Sequence, residues 1–473
     1  MLFSSVEFLF LFLPICLVGY YLLPNRWGLR NYWLLLASIG FYAWGEPKFV
    51  LVMLLSIAFN YLMAVFIGWT VRKGTGAKIL LLTSVIGNLA VIGVWKYSNF
   101  ITENLRAWFP SWQGAIPQTC FLLPIGISFF TFQAMSYVID VYRGEVKVQK
   151  NPFYLALYIA LFPQLVAGPI VRYSTVCEQI VSRKTSVDLF SGGVLRFLYG
   201  FNKKMLLANF FASVADSVFA MKTPGCPMAW LGAVCYSFQI LFDFSGYSDM
   251  AIGLGRMFGF RFLENFDFPY SAKTVTEFWR RWHISLGSWF RDYVYFPMGG
   301  SRVGRARLLF NLSVVWLLTG VWHGANWTFI AWGSLYGVLI MGEKLFGVVG
   351  KVEANRCLRL FYQPLTLLAV ILGWVLFRSP DIGSALRYIA TMFSFGTDNL
   401  QRFVFESREV ALLLVAAVIL STPIFSWLRN RAQVCRWGVC YLLGEGLLQL
   451  AFFIVGVSCL IMKSHNPFIY FNF

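Results

Sequence analysis

Residues 308–342 decide the fold: LLFNLSVVWLLTGVWHGANWTFIAWGSLYGVLIMG holds no Asp, Glu, Lys or Arg. A helix needs about 20 apolar residues to cross a hydrocarbon core of about 30 Å. The stretch is too long for one straight span and somewhat short for two. Gly320 and Gly324 flank His323 near its middle, so we expect the helix to break there and to expose His323 to a cavity.

The whole chain shares this apolar character. Of its 473 residues, 58% are hydrophobic and 13% are charged, whereas ordinary soluble domains are about 25% charged. A soluble domain must cover its core with polar surface, and this composition does not provide enough of it. The composition therefore excludes a water-soluble globular enzyme and predicts a polytopic membrane protein.

Apolar runs of about the length of a membrane span recur along the sequence, and from them we count about ten to twelve membrane helices. The charge-free runs are 8–25, 31–45, 49–71, 79–95, 107–139, 151–171, 223–242, 308–342, 360–377 and 410–428. A further span, 437–462, is broken only by Glu445, and 188–221 is helical but more mixed. We predict an all-α membrane protein with a single integral membrane domain over residues 1–473.

Two segments differ from simple spans. The sequence LFPQLVAGPIVR, residues 161–172, contains Pro163, Gly168 and Pro169, which interrupt a helix. We predict that it is re-entrant from the cytoplasmic side. Residues 261–307 are the longest polar insertion and mix basic residues with Phe, Trp and Tyr, a pattern typical of helices lying in the cytoplasmic interface.

Charge and cysteine content narrow the class further. The chain has 39 Lys and Arg against 21 Asp and Glu, a net charge of +18, and cytoplasmic membrane loops carry such an excess. The basic residues lie in short loops rather than on a polar domain, so we expect no nucleic-acid partner. The nine cysteines form no CxxC pair, so we expect neither a metal site nor a disulfide framework.

The sequence has three histidines, His283, His323 and His465. An ionisable residue at membrane depth is costly and is by default a functional candidate. Burial disfavours the imidazolium, so we predict that His323 is neutral and can act as a general base. The alternative is a core histidine satisfied by a backbone carbonyl or by Asn326. Motifs of serine hydrolases, zinc proteases and P-loop ATPases do not occur in the sequence.

A second polar cluster lies in FQILFDFSGYSDMAIGLGRMFGF, residues 238–260. Its polar residues are Asp243, Ser245, Tyr247, Ser248 and Asp249. They could line an aqueous path or bind a substrate hydroxyl. The two carboxylates could instead pair with Arg256 and Arg261 at the membrane edge.

Several ordered stretches resemble bacterial membrane-bound O-acyltransferases of the alginate O-acetyltransferase type. They are FDFSGYSDMAIGLGRMFGF (242–260), EFWRRWHISLGSWFRDYVYFPMGG (277–300), LLTGVWHGANWTFIAWGSLYG (317–337) and the tail NPFIYFNF (466–473). Residues 1–24 and 121–144 are similar too, so the resemblance covers nearly the full length. It implies a ring of membrane helices around a central funnel, with His323 and His283 as the two family histidines.

The resemblance also implies the chemistry. An acyl group moves from a cytoplasmic thioester, acetyl-CoA or an acyl carrier protein, to an exported polysaccharide such as alginate, cellulose or peptidoglycan. His323 takes the proton of the attacking hydroxyl, and the N–H groups of Asn326 and Trp327 are candidate oxyanion donors. We expect no bound cofactor.

Three arginines lie beside His283 in the sequence, Arg280, Arg281 and Arg291. They could hold the phosphates of coenzyme A or of a carrier's phosphopantetheine. The alternative is contact with anionic lipid headgroups. His283 itself could orient the donor or be structural.

The family resemblance implies a place in the bacterial cytoplasmic (inner) membrane, among membrane lipids. It also implies an extracytoplasmic partner protein, like an acetyltransferase or esterase, that completes the transfer onto the polymer. Two other functions remain open at this point. One is D-alanyl transfer to teichoic acid from a carrier-protein thioester, and the other is a non-catalytic polysaccharide transporter or scaffold.

Overall fold

The structure is a computed structural model of the chain. It describes residues 1–24, 26, 28–71, 74–424, 427–428, 431 and 438–462. The described part is all helical and contains no strand. The predicted all-α class is therefore confirmed. His465 and the tail NPFIYFNF lie outside the described residues.

Ten helices of the described residues precede the polar insertion. They are α1 (Phe8–Leu22), α2 (Leu29–Gly45), α3 (Val50–Trp69), α4 (Thr75–Trp108), α5 (Ile127–Arg143), α6 (Pro152–Ala160), α7 (Tyr173–Val181), α8 (Val187–Asn202), α9 (Asn209–Phe219) and α10 (Gly225–Met257). A π-helical turn, Lys203–Ala208, joins α8 to α9.

Nine further helices of the described residues begin within this insertion or after it. They are α11 (Val275–Arg281), α12 (Ile284–Phe290), α13 (Arg305–His323), α14 (Trp327–Leu345), α15 (Val348–Ala354), α16 (Arg356–Arg378), α17 (Ile382–Met392), α18 (Leu400–Leu420) and α19 (Gly438–Met462). The insertion at 261–307 thus holds two short helices, α11 and α12. Its position at the cytoplasmic interface stays a prediction.

In the part of the chain that the structure describes, five helices are long and apolar enough to cross a membrane: α3, α4, α10, α16 and, from Cys440, α19. Helix α1 is apolar but shorter. The prediction of ten to twelve membrane helices takes each charge-free run as one span. In the structure, several of these runs form helices that are shorter or more polar than a membrane span. The membrane class is confirmed, and the ring around a funnel stays a prediction.

The predicted interruption at 161–172 is present. Helix α6 ends at Ala160, a single turn covers Phe162–Leu165, and α7 begins at Tyr173. Pro163 and Gly168 lie in the gap, and residues 161–171 are buried. Non-helical backbone at membrane depth is tolerated where protein covers it. The re-entrant course of the segment stays a prediction.

The first of two compact units comprises Met1–Phe197 and Met250–Leu263. Its centre is α5, buried over nearly its whole length and packed against α3 and α4. Asn60 of α3 and Asn88 of α4 exchange side-chain hydrogen bonds of 3.0 and 2.7 Å. Paired amides of this kind satisfy polar groups between membrane helices.

The second unit comprises Leu198–Asp249 and Glu264–Phe473. Helices α13 and α14 form a hairpin along their whole length, and α14 also packs against α11 and α16. The hairpin is close because a Cβ at Gly333 would lie 2.5 Å from the Trp316 carbonyl oxygen and 3.0 Å from Gly320 Cα. Both described histidines belong to this unit. The single domain over 1–473 stays a prediction.

Candidate functional site

His323 is the last residue of α13, at the tip of the α13–α14 hairpin. The helix break expected between Gly320 and Gly324 is found directly after His323. A side chain at Gly324 would overlap the Phe329 ring, so the chain turns where only glycine fits. Asn326 then caps α14, because its Oδ1 accepts a 3.0 Å hydrogen bond from Thr328 N.

Aromatic rings surround His323. Its side chain is buried, and its ring centroid lies 5.0 Å from Trp322, 4.9 Å from Trp332 and 5.4 Å from Phe377. All three rings stand nearly perpendicular to the imidazole. An environment of this kind has a low dielectric constant, which strengthens any charge interaction made there.

The two candidate oxyanion donors lie at the start of α14. Asn326 uses its side chain for the cap, and its Nδ2 also donates to the Pro380 carbonyl at 2.9 Å. The N–H of Trp327 is at the first position of α14, where a backbone N–H has no partner within its own helix. These N–H groups follow His323 by three and four residues along the chain, after the turn. Their role as oxyanion donors stays a prediction.

His283 lies between α11 and α12 in an uncommon backbone conformation. Its φ of 47° and ψ of 52° are left-handed, which costs free energy in a residue other than glycine. The side chain is buried. The neighbouring backbone is fixed because Ile284 N donates to the Asn265 carbonyl at 3.0 Å. Strained backbone of this kind is concentrated at functional sites.

The hydrogen bonds of Asn265 assign the protonation of His283. Asn265 Oδ1 accepts from Ser285 N at 3.2 Å and from Ser285 Oγ at 2.8 Å, while its Nδ2 donates to Ser248 Oγ at 3.1 Å. The His283 Nδ1 lies 3.2 Å from the same Oδ1, so Nδ1 carries the proton and Nε2 the lone pair. Burial lowers the pKa of His283 to about 3, so the ring is neutral at pH 7.

Trp322 connects the two histidines. Its ring centroid lies 5.9 Å from that of His283 and 5.0 Å from that of His323. On the other side, Phe244 of α10 contacts His283 at 4.7 Å. The structure thus brings together three stretches that are far apart in sequence: the polar part of α10, the His283 segment and the hairpin tip.

The carboxylates of α10 form short ion pairs. Asp243 pairs with Lys204 at 2.6 Å, both side chains being almost wholly buried, and Asp249 pairs with Lys203 at 2.6 Å. The carboxylates were expected from the sequence, but their lysine partners were not. The signal was present, because two adjacent lysines within an apolar helix need acidic partners.

Gly246 explains how these ion pairs can be so short. A Cβ at this position would lie 2.7 Å from the Gly200 carbonyl oxygen and 3.3 Å from Lys203 Cβ. Only glycine allows the two helices to approach this closely. Ser245 and Tyr247 flank it and are buried. Their role in binding a substrate stays a prediction.

The three arginines near His283 differ in their partners. Arg281 pairs with Glu277 at 2.8 Å and with Asp267 at 3.7 Å. Arg291 pairs with the adjacent Asp292 at 2.8 Å, and Arg280 is exposed. A phosphate would therefore compete with the paired carboxylates for Arg281 and Arg291. At the exposed Arg280 this competition does not arise. Phosphate binding by these residues stays a prediction.

Glu343, at the end of α14, was not expected from the sequence. Its buried carboxylate accepts from Val275 N at 2.7 Å and from Thr276 N at 2.8 Å. It thereby caps α11, the helix that leads to His283. A single acidic residue near the end of a helix whose one other charged residue is Lys344 is the signal that could have identified it.

Fold and site together define a polytopic membrane protein with two buried histidines in one unit. Residues 138–350 match the model of MBOAT, the membrane-bound O-acyltransferase family, and this range contains His283 and His323. The chain belongs to this family and is an acyltransferase.

Three relatives extend the comparison. The chain is 44% identical to the probable alginate O-acetylase AlgI of Pseudomonas aeruginosa over 426 residues, which cover 89% of this chain and 81% of the relative. It is 40% identical to the AlgI of Pseudomonas putida over the full length of both. It is 30% identical to a peptidoglycan O-acetyltransferase of Helicobacter pylori, covering 100% of this chain and 98% of the relative.

Proposed function

We propose that this protein moves an acetyl group from a cytoplasmic thioester across the bacterial inner membrane for O-acetylation of an exported polysaccharide. The observation that carries the proposal is the similarity, over the full length, to proteins named as alginate and peptidoglycan O-acetylating enzymes. An alginate-like polymer is the first acceptor to test, because the two alginate relatives are the more similar ones.

In the proposed reaction, a hydroxyl oxygen attacks the thioester carbonyl and His323 accepts the hydroxyl proton. The carbon–sulfur bond then breaks, and the leaving thiolate takes the proton from the His323 imidazolium, which returns the ring to its neutral form. The aromatic surroundings of His323 support this role, because they keep water away from an imidazole that must start neutral. Backbone N–H groups at Asn326 and Trp327 would stabilise the oxyanion.

His283 has a supporting role in this proposal. Its neutral ring, with Nδ1 bonded to Asn265 and Nε2 as acceptor, orients the donor or the Trp322–His323 segment. The polar part of α10 contributes to substrate binding through Asp243, Ser245 and Tyr247.

The donor is acetyl-CoA or an acyl carrier protein, and both carry phosphate. Arg280, Arg281 and Arg291 are the proposed phosphate contacts, with lipid headgroups as the alternative ligands. An extracytoplasmic acetyltransferase- or esterase-like partner is proposed to finish the transfer onto the polymer.

Replacing His323 tests the mechanism. In cells that make the polysaccharide, His323→Ala is expected to abolish O-acetylation while the protein stays in the membrane at normal amounts. Ser313→Ala is a matched control on the same helix, because Ser313 Oγ makes only a weak contact of 3.5 Å to Met341 Sδ. Normal acetylation in the His323 variant would contradict the proposal.

The same experiment separates the alternatives. A transporter or scaffold would export acetylated polymer without His323. A D-alanyl transferase would esterify teichoic acid with alanine, so membranes of polysaccharide-producing cells, which contain the proposed partner, would transfer no label from a radiolabelled acetyl thioester to polysaccharide. The proposal requires label transfer by the wild type and its loss in the His323 variant.

A further inference from the structure

Two guanidinium groups lie against one tyrosine ring in the first compact unit. The Cζ atoms of Arg30 and Arg183 lie 5.1 and 5.4 Å from the ring centroid of Tyr20. Arg183 also stacks on Phe260 at 4.5 Å. Tyr20 lies near the end of the apolar helix α1, where tyrosine is typical of the membrane–water boundary.

Neutral acceptors hold both arginines in place. Arg183 Nε donates to Tyr20 Oη at 2.9 Å and to the Phe258 carbonyl at 3.0 Å. Arg183 Nη1 donates to Asn31 Oδ1 at 2.5 Å, and Arg30 Nε donates to the Leu23 carbonyl at 3.0 Å. These hydrogen bonds fix the positions of the two guanidinium groups. Their acceptors are neutral, so they do not compensate the positive charges of the arginines.

The described part of the chain offers no carboxylate within 4.0 Å of either guanidinium. Glu178, on α7, is exposed and forms no ion pair with them. Arg183 Nη2 is buried and has no acceptor among the described residues. Burial lowers the pKa of Arg183, and the positive charge of Arg30 lowers it further. The described residues therefore hold two positive charges close together and place no carboxylate beside them.

Two more basic residues belong to the segments that form this site. Lys184 follows Arg183 and is exposed, and its carbonyl lies 3.4 Å from the position of a Cβ on Gly259. Arg261, two residues after Gly259, is also exposed, and its backbone N–H donates to Gln179 Oε1 at 2.7 Å. We name Arg30, Arg183, Lys184 and Arg261 the basic cluster.

We propose that the basic cluster binds a phosphate-bearing anion. Arginine guanidinium groups match phosphate oxygens in pairs, and lysine adds a compact charge. Phosphate would supply the counter-charge that the described residues do not place within 4.0 Å of these arginines. The phosphate can belong to an anionic phospholipid headgroup or to a soluble molecule, and the position at the end of α1 suits both. The proposal does not depend on the acyl-transfer reaction.

Thermal unfolding of the full-length protein in a neutral detergent tests the site. Short-chain phosphatidylglycerol, phosphatidylcholine of the same chain length, inorganic phosphate and adenosine 3′,5′-bisphosphate are titrated separately. Arg30→Gln removes one cation, Arg183→Lys keeps the charge but not the paired donors, and Arg356→Gln removes an exposed cation elsewhere as a control.

Stabilisation of the wild type by phosphatidylglycerol or by the soluble phosphates, but not by phosphatidylcholine, is expected. Binding should weaken roughly fivefold in Arg30→Gln, the effect of one cation near a charged headgroup, and should stay unchanged in Arg356→Gln. Phosphatidylglycerol alone would identify the lipid as the source, and equal binding of the bisphosphate would identify a soluble phosphate. Unchanged binding in Arg30→Gln, or equal stabilisation by phosphatidylcholine, would overturn the proposal. Arg183→Lys, if folded, must also bind more weakly.

Discussion

His283 Nδ1 lies 3.2 Å from Asn265 Oδ1, and the amide oxygen takes two further hydrogen bonds from Ser285. The Asn265 amide oxygen therefore accepts three hydrogen bonds, and it selects the tautomer of His283 in which Nδ1 carries the proton. A fourth hydrogen bond, from Asn265 Nδ2 to Ser248 Oγ at 3.1 Å, joins this arrangement to α10. The protonation of His283 is thus set by a neutral partner, which a single substitution can change.

Replacing Asn265 by Asp would put a negative charge beside His283. A carboxylate at this distance favours the imidazolium, so the pKa of His283 should rise from its low value. We expect the pH profile of acyl transfer to move in the alkaline direction, with the largest loss of activity on the acid side. The measurement is the rate of label transfer from an acetyl thioester between pH 5 and 9. Ser285→Ala removes a hydrogen bond without adding charge, so it should leave the profile in place.

Stability should depend on pH through His283. Its pKa is about 3 in the folded protein against 6.5 for the ordinary residue, so the unfolded chain binds more protons between these values. Folding stability is therefore complete above pH 6.5 and falls as the pH drops towards 3, by about 1.4 kcal/mol per pH unit. Thermal unfolding in detergent at pH 7 and pH 5 should show a larger decrease for the wild type than for His283→Gln. Equal decreases would show that His283 does not titrate in this way.

The sequence predicted the membrane class, the helix break at 161–172 and the turn after His323, because each follows from local features. Uncharged length gives a helix, and Pro163, Gly168 and Gly324 interrupt it. The count of spans was harder to obtain. A run without charge shows only that the chain can lie in a membrane, whereas the ends of helices depend on contacts with other segments.

The surroundings of the histidines could be predicted only in part. Their rarity identified His323 and His283, but the contacts of Asn265, Trp322 and Lys204 join segments separated by tens of residues. Side-chain spacing along one helix contains no information on such contacts. Gly246 illustrates the limit: the sequence shows a small residue, and only the fold shows that Gly200 lies against it.

The buried Lys204–Asp243 ion pair should be costly to break from one side. Lys204→Met would leave the Asp243 carboxylate without its lysine, and removing one partner of a buried pair destabilises by about 3–5 kcal/mol. The double variant Lys204→Met with Asp243→Leu should recover much of this loss, since it buries no charge. Unfolding of the four proteins in detergent gives the coupling energy. Lys203→Met, in the more exposed pair with Asp249, should have the smaller effect, and additive losses in the double variant would contradict this reasoning.

Glu343 should link stability to activity through α11. Its two oxygens each accept from one backbone N–H, of Val275 and Thr276. In Glu343→Gln one oxygen becomes an NH₂ group, which cannot accept from the N–H it faces, and an unsatisfied buried donor costs about 1–3 kcal/mol. Because α11 ends two residues before His283, loosening its first turn should also lower acyl transfer.

Glu353→Gln, on the exposed surface of α15, is the matched control and should change neither property. A Glu343→Gln protein with the unfolding temperature and transfer rate of the wild type would show that the cap does not position the His283 segment. A loss of stability alone, with the rate per folded molecule intact, would confine Glu343 to a structural role.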